Sequence, residues 1–296
     1  MKKNQTHKQK TITVAIAGPT NAGKSTLVNY LIEQKISIVS PKVQTTRNII
    51  RGIFIQDDTQ VILIDTPGIF IPDKKRFLER KIVKSAWQGI AETDIVCLVI
   101  DVTKGFNSVV KTLINDLSKK ELQLILVLNK VDEIKQKVKL LELAKQITDY
   151  YSNFKEVFMI SATTGHGIEN FKKYLTELAP ESPWLYDEDE ITDAPLKFLA
   201  SEITREKLFL HLKQELPYSI KVETEEWEQF KNGDIKIKQA IYVLKEKQKS
   251  IVLGNKGSLI REISIQARQE IQKFTNSKVH LFLFVKVQSD WIEKDN

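Results

Sequence analysis

One cysteine, Cys97, stands in a chain of 296 residues, so a disulfide within the chain is excluded. It lies in the apolar run Ile95-Val96-Cys97-Leu98-Val99-Ile100, where a free thiol packs as a small hydrophobe, and such sparse cysteine fits a reducing cytoplasm. No run of 18 or more apolar residues occurs, which excludes a membrane-spanning helix. The basic opening MKKNQTHKQKT lacks the apolar stretch of a secretory signal, so export is not expected. Internal repeats and low-complexity tracts are also missing.

Positive charge, by contrast, is plentiful. The net charge is +7, and it is unevenly placed. Between Lys231 and Lys278, eleven Lys or Arg face only Asp234, Glu246, Glu262 and Glu270, an excess equal to that of the whole chain. A polyanionic partner is one reading of this window and a lysine-rich solvated face is the other.

The length favours two domains. From Thr11 to about Pro180, short β-branched runs alternate with longer amphipathic segments. Strands are predicted at Ile12–Ala17, Ile49–Gln56, Gln60–Asp65, Ile95–Val102, Gln123–Asn129 and Glu156–Ser161. Helices are predicted at Lys24–Gln34, Glu79–Ala91, Asn107–Lys119, Gln136–Tyr151 and Ile168–Leu178. The alternation predicts an α/β domain over residues 1–180, with a mainly parallel sheet covered on both faces and ligands at the carboxyl ends of its strands. Residues 181–195, rich in proline and carrying Asp187-Glu188-Asp189-Glu190, read as a linker. Residues 196–296 read as an α+β domain in the order helix (Leu196–Gln214), two strands (Ser219–Trp227, Ile235–Lys245), helix (Ser258–Phe274), strand (Val279–Val287).

Gly18-Pro19-Thr20-Asn21-Ala22-Gly23-Lys24-Ser25 has the spacing of a phosphate-binding loop, directly after a strand and opening a helix. Its glycines let the backbone wrap closely and aim successive N–H groups at phosphate oxygens. Lys24 is expected to reach the β- and γ-phosphates, and the Ser25 hydroxyl to ligate Mg²⁺. Asn129-Lys130-Val131-Asp132 follows the run Leu124–Leu128 and selects the base. Asp132 can accept from the N1–H and exocyclic amine of guanine, and adenine offers neither donor there. Ser161 and Ala162, after the last strand, are expected to cap guanine O6 with backbone N–H groups. In Asp65-Thr66-Pro67-Gly68, Asp65 would hold Mg²⁺ through water and the Gly68 N–H would sense the γ-phosphate. In Gln44-Thr45-Thr46-Arg47 a threonine hydroxyl would complete the metal shell, with Thr46 favoured over Thr45. Lys24, Thr46 and Gly68 thus form the expected catalytic set, and Thr26, Thr66, Pro67 and Ile69 complete the nucleotide contacts.

Gly254-Asn255-Lys256-Gly257 is a GxxG loop between the apolar residues Ile251–Leu253 and an amphipathic helix. That is the arrangement with which a KH domain clamps a nucleic-acid backbone. The glycines permit close approach, Lys256 adds a phosphate contact, and single-stranded RNA is the expected ligand. Ile251, Leu253, Leu259, Ile260 and Ile263 are expected to line the groove or, for the most part, to fill the core.

These elements occur in the same order as in translation-factor-type GTPases. More narrowly, GPTNAGKSTLVNYLIEQKISIVS, QTTRN, DTPGI, NKVD and SATTGHG resemble the Era family, as do ASEITREKLFLHLKQELPYSIKVETEEW and IVLGNKGSLIREISIQARQEIQKF. The resemblance runs over nearly the whole chain; Thr20, where a basic residue is more usual, is a small departure. It implies a GTPase domain followed by a type II KH domain. It also implies binding to the 3′ end region of 16S ribosomal RNA in the 30S subunit, a role in small-subunit assembly, a monomer, and peripheral contact with the inner face of the cell membrane.

Ras-like enzymes orient the attacking water with a glutamine that follows the motif's glycine. Here Ile69 and Phe70 follow Gly68, and neither side chain forms hydrogen bonds. Resemblance to potassium-activated GTPases implies that Asn21 helps hold a K⁺ ion; the alternative is that Asn21 only shapes the loop. A metabolic kinase is disfavoured by the guanine-reading Asn129–Asp132 segment. A non-catalytic RNA-binding protein is disfavoured by the presence of Lys24, Ser25 and Asp65.

Overall fold

The computed structural model describes residues 8–42, 45–69 and 77–289. They form two compact units, Met1–Ser37 with Thr46–Asp193, and Ile38–Thr45 with Ala194–Asn296. Gln44 and Phe70 lie outside the described residues. No described helix is long and apolar enough to cross a membrane.

The first unit runs β1 (Lys10–Ala17), α1 (Lys24–Ile32), β2 (Ile50–Gln56), β3 (Thr59–Asp65), α2 (Phe77–Ala91), β4 (Ile95–Asp101), α3 (Ser108–Ser118), β5 (Gln123–Asn129), α4 (Lys137–Tyr150), β6 (Phe154–Ile160) and α5 (Ile168–Leu178). Its six strands make one sheet in the order β2-β3-β1-β4-β5-β6. All pairings are parallel except β2 with β3, which is antiparallel. Every residue of β3 and β4 is buried, as expected of strands covered on both faces. Cys97 lies inside β4, and burial pushes its thiol pKa upward, which makes it inert. The chain leaves β1 toward β3 on one side and β4 on the other. The carboxyl end of β1 is therefore the switch point where ligands of such sheets bind.

Helix α3 shows how the sequence fixes its cover. Val110, Leu113, Ile114 and Leu117 recur at helical spacing and are all buried. The Asn107 side chain caps the helix by accepting from the Val110 N–H at 3.1 Å, a contact worth about 1 kcal/mol.

Residues 181–193, expected to be a linker, are bound to the first unit. Thr11 Oγ1 donates to Pro183 O at 2.8 Å, and Trp184 Nε1 donates to Asp58 O at 3.1 Å. The wholly buried Gln60 is the central anchor: its Oε1 accepts from Leu185 N and Tyr186 N, and its Nε2 donates to Tyr186 O. The Ile53 N–H of edge strand β2 donates to Ile191 O at 2.8 Å, and Arg51 pairs with Asp193. The acidic composition made this segment look solvated, yet its backbone carries most of the docking.

The second unit contains α6 (Leu196–His211), β7 (Lys221–Gln229), β8 (Ile235–Val243), α7 (Glu246–Leu253), α8 (Ser258–Thr275) and β9 (Val279–Val287). Its sheet has the order β7-β8-β9, with β7 antiparallel and β9 parallel to β8. Leu208, Ile241, Val252 and Ile263 are fully buried in one cluster, with Leu259 and Ile260 packed against it. Helix α7 was not anticipated; Glu246–Ser250 is polar, and only Val252 of the helix is buried, so no apolar stripe announces it. Ile251, expected at the groove or in the core, is exposed and so does not belong to the core.

Candidate nucleotide site and nucleic-acid interface

The motifs that follow β1, β3, β5 and β6 sit at the carboxyl edge of the first unit's sheet. The loop after β1 ends at Gly23, which is left-handed at φ 91° and caps α1 with no side-chain hydrogen bond. A Cβ there would lie 2.2 Å from Asn129 Nδ2, so glycine is required on both counts. The first turn of α1 carries no acidic residue, which leaves its N–H groups favourable to an anion. Lys24 Nζ donates to the loop carbonyls of Gly18 at 3.1 Å and Pro19 at 2.9 Å. Burial pulls its ammonium down to about 8, opposed by the Asp65 carboxylate.

Ser25, Thr46 and Asp65 converge. Ser25 Oγ donates to Asp65 Oδ2 at 2.7 Å and lies 2.9 Å from Thr46 Oγ1. Thr45 is turned elsewhere: its hydroxyl donates to Lys42 O, and its carbonyl accepts from Arg205 Nη2 at 2.6 Å. Asp65 is fully buried, and its Oδ1 has no hydrogen-bond partner among the described residues. Burial pushes its carboxyl pKa upward, against the Ser25 hydrogen bond, the Lys24 charge and the nearby Ser37 hydroxyl. Three hard oxygen donors, one with an idle lone pair, suit Mg²⁺, which prefers a few protein oxygens plus phosphate and water. No group of three His, Cys, Asp or Glu that could hold a metal occurs among the described residues.

The turn after β3 is tied to the phosphate loop. Thr66 Oγ1 donates to Ile16 O at 2.9 Å, and the Ile69 N–H donates to Gly18 O at 3.1 Å. Pro67 is buried in this turn. Gly68 fits closely, since a Cβ on it would meet Thr20 Cγ2 at 2.7 Å.

Asn129 links two loops. Its Nδ2 donates to Ala22 O at 2.8 Å, and its Oδ1 accepts from Ala162 N at 3.0 Å. Asp132 is exposed in a short 3₁₀ turn, Val131–Glu133. The N–H groups of Ser161 and Ala162, expected to cap guanine O6, donate here to His166 O and to Asn129 Oδ1 respectively. A pocket of about 540 Å³ opens beside Ala162, lined among others by Thr26, Tyr30, Lys35 and Thr163.

Asp101 was missed in the sequence. It ends β4 opposite Asn129, is 4% exposed, and accepts from Lys130 Nζ at 2.6 Å and from Thr103. Lys130 is left-handed at φ 67°, and the ion pair anchors its side chain at the end of β4. An acidic residue at a strand's carboxyl end was the available signal.

In the second unit, Gly254 (φ 74°), Lys256 (φ 48°) and Gly257 (φ 78°) form a tight left-handed loop between α7 and α8. Asn255 and Lys256 are exposed. A Cβ on Gly254 would press on Leu259 Cβ at 2.7 Å and Leu259 N at 2.9 Å, whereas Gly257 has open space around it. Helix α8 begins at Gly257 without a side-chain cap, so its first N–H groups favour phosphate.

Residues 13–130 match the family described as 50S ribosome-binding GTPase, and residues 215–292 match the KH domain. GTPase Era of Brucella suis biovar 1 is 50% identical over 278 residues, 94% of this chain and 88% of its own length. GTPase Era of Rickettsia bellii is 47% identical over 283 residues, 96% of this chain and 94% of its own. Among solved structures, Era in complex with MgGDPNP and nucleotides 1506–1542 of 16S ribosomal RNA has a TM-score of 0.92 at 36% identity, covering 97% of this chain and 96% of that one. A variant of Aquifex aeolicus Era bound to GDP·AlF₄⁻ gives the same values. Half of all positions identical over nearly the full length, with both units matched, makes the chain a member of the GTPase Era family.

Proposed function

We propose that this GTPase binds GTP and GDP with Mg²⁺ in the first unit and the 3′ end region of 16S ribosomal RNA at the GxxG loop of the second, as a switch in small-subunit assembly. The convergence of Ser25, Thr46 and Asp65 beside the Lys24 loop carries the nucleotide half of this reading. The RNA half rests on the GNKG loop and on what the related Era structure binds. On this reading the protein works in the cytoplasm as a monomer.

In the proposed roles, backbone N–H groups of residues 20–25 wrap the phosphates. Lys24 leaves the Gly18 and Pro19 carbonyls for the β- and γ-phosphates. Ser25 and Thr46 hold the metal directly, and Asp65 holds it through water. The bound Mg²⁺ supplies charge stabilisation at the phosphoryl oxygens. The Gly68 N–H senses the γ-phosphate, and Asp132 reads guanine while Asn129 keeps the two loops in register. Turnover assays with GTP and ATP, with and without a 16S 3′-end oligonucleotide, test the reading. GTP-only turnover together with oligonucleotide binding is expected; turnover of ATP at a comparable rate would overturn the base assignment.

A further inference from the structure

Helix α6 buries an ion pair that none of the proposed roles uses. Arg205 is 3% exposed, and Glu202, one turn before it, is 7% exposed. Arg205 Nε donates to Glu202 Oε1 at 2.7 Å, and its Nη2 donates to Glu202 Oε2 at 2.5 Å. The guanidinium also lies over the Phe209 ring, 5.1 Å from its centroid. A pair taken out of water seldom stabilises a fold more than apolar side chains of similar volume would, so what the pair holds matters more than its own strength.

The pair holds one backbone atom. Arg205 Nη2 donates to Thr45 O at 2.6 Å, and Nη1 has no acceptor among the described residues. The same helix binds the preceding stretch twice more. Glu206 Oε1 accepts from Val39 N at 2.8 Å, and Lys42 Nζ donates to the Phe209 and Leu212 carbonyls at the helix's end. Ile38–Thr45 accordingly group with the second unit, and the first unit resumes at Thr46. Thr46 is buried, and its hydroxyl lies 2.9 Å from Ser25 Oγ. A single peptide link thus separates the carbonyl that Arg205 holds from the residue whose hydroxyl joins the metal-side cluster.

We infer that Arg205 is a positioning residue for Thr46: fixed by Glu202, it holds the Thr45 carbonyl and so sets where the Thr46 hydroxyl stands. The peptide group is planar, so a carbonyl held at its oxygen also fixes the direction in which the chain enters Thr46. Arginine suits this task because its fork grips a carboxylate with two N–H groups and still offers one to a carbonyl, whereas lysine has one nitrogen for both. Switch segments of GTPases are ordered by contacts to the γ-phosphate and Mg²⁺ and released on hydrolysis, so the effect of Arg205 belongs to the triphosphate state. The inference rests on the proposed role of Thr46 in holding Mg²⁺.

The experiment measures the affinity of the full-length protein for a fluorescent non-hydrolysable GTP analogue and for fluorescent GDP, both in excess Mg²⁺. Arg205→Lys keeps a charge beside Glu202 and should weaken analogue binding about tenfold, as loss of an outer partner of a metal ligand commonly does, with GDP changed less than about twofold. Thr46→Ala should weaken the analogue at least as far. Combining the two should be no worse than Thr46→Ala alone, because a residue that acts through Thr46 then has nothing left to act on. If Arg205→Lys does not fold, the neutral pair Glu202→Gln with Arg205→Met, which leaves no buried charge unpaired, takes its place. Unchanged analogue affinity, equal losses for both nucleotides, or losses that multiply in the combined variant would each overturn the inference; the last two are what a merely structural role gives. If Thr46→Ala itself leaves analogue binding unchanged, the reading of Thr46 fails and this inference fails with it.

Discussion

Lys130 Nζ lies 2.6 Å from Asp101 Oδ2, joining the turn after β5 to the end of the neighbouring central strand. Burial alone would raise the Asp101 pKa, but the Lys130 and Thr103 hydrogen bonds outweigh it and hold the carboxyl below its ordinary value. A carboxyl depressed in the folded state stabilises the fold above the unfolded pKa, near 3.9, and loses that contribution as pH falls through the folded value. Asp101→Asn should cost about 1–2 kcal/mol near neutral pH, since one half of a charge-assisted pair is removed. Urea denaturation at several pH values should show a constant gap from wild type between about pH 7 and 5, closing below about pH 4.

Base selection is the second expected outcome. Asp132→Asn should lower GTP affinity by about 100-fold or more, because one of the two carboxylate acceptors becomes an NH₂ donor facing a guanine donor. Xanthine nucleotides, which place an oxygen at C2, should bind better to the variant than to wild type. Competition binding with GTP, ATP and XTP checks this, and no gain for XTP would contradict the role given to Asp132.

Hydrolysis should be faster in K⁺ than in Na⁺. Ile69, whose N–H is bonded to Gly18 O, has no side chain able to orient water, and Asn21 stands in the phosphate loop at φ 62°. Phosphate release in matched KCl and NaCl measures the difference; equal rates would remove Asn21 from ion binding. Lys24→Ala should be inactive in both salts, since the phosphate contact is needed under either scheme.

RNA binding gives a test at a single residue. Gly257→Asp adds a negative charge into open space at the loop, so it should weaken binding of a 16S 3′-end oligonucleotide at least tenfold, with a modest fall in melting temperature because a side chain is strained at φ 78°. Gly254→Asp is a poorer probe, because its side chain would collide with Leu259 and disturb α8. If nucleotide and RNA are coupled, affinities measured with GDP and with a non-hydrolysable GTP analogue should differ about 5–150-fold. Identical affinities would mean two tethered but independent activities.

Much of this was legible before any coordinates. The alternation of buried runs and amphipathic helices gives the order of elements, because burial on two faces leaves a strong hydrophobic signature in β3 and β4. Motif residues are legible for a similar reason: glycines and a lysine must stand at fixed spacing around a phosphate. Asp101 and Gln60 leave no such pattern. Each acts through hydrogen bonds to residues far along the chain, and a lone polar residue looks the same whether it is solvated or clamped. Helix α7 escaped because it buries one residue, too little to impose a period.

The docked segment 181–193 has a consequence for the protein among its own copies. Strand β2 is the edge of the first unit's sheet, and a bare edge is a template on which another chain can pair. Ile191 and Thr192 occupy part of that template through the Ile53 N–H and the bridge to Gly52. A stretch that looks from its composition like spare tether thus acts as a selvedge, finishing the sheet so that concentrated or newly made protein does not zip together along β2.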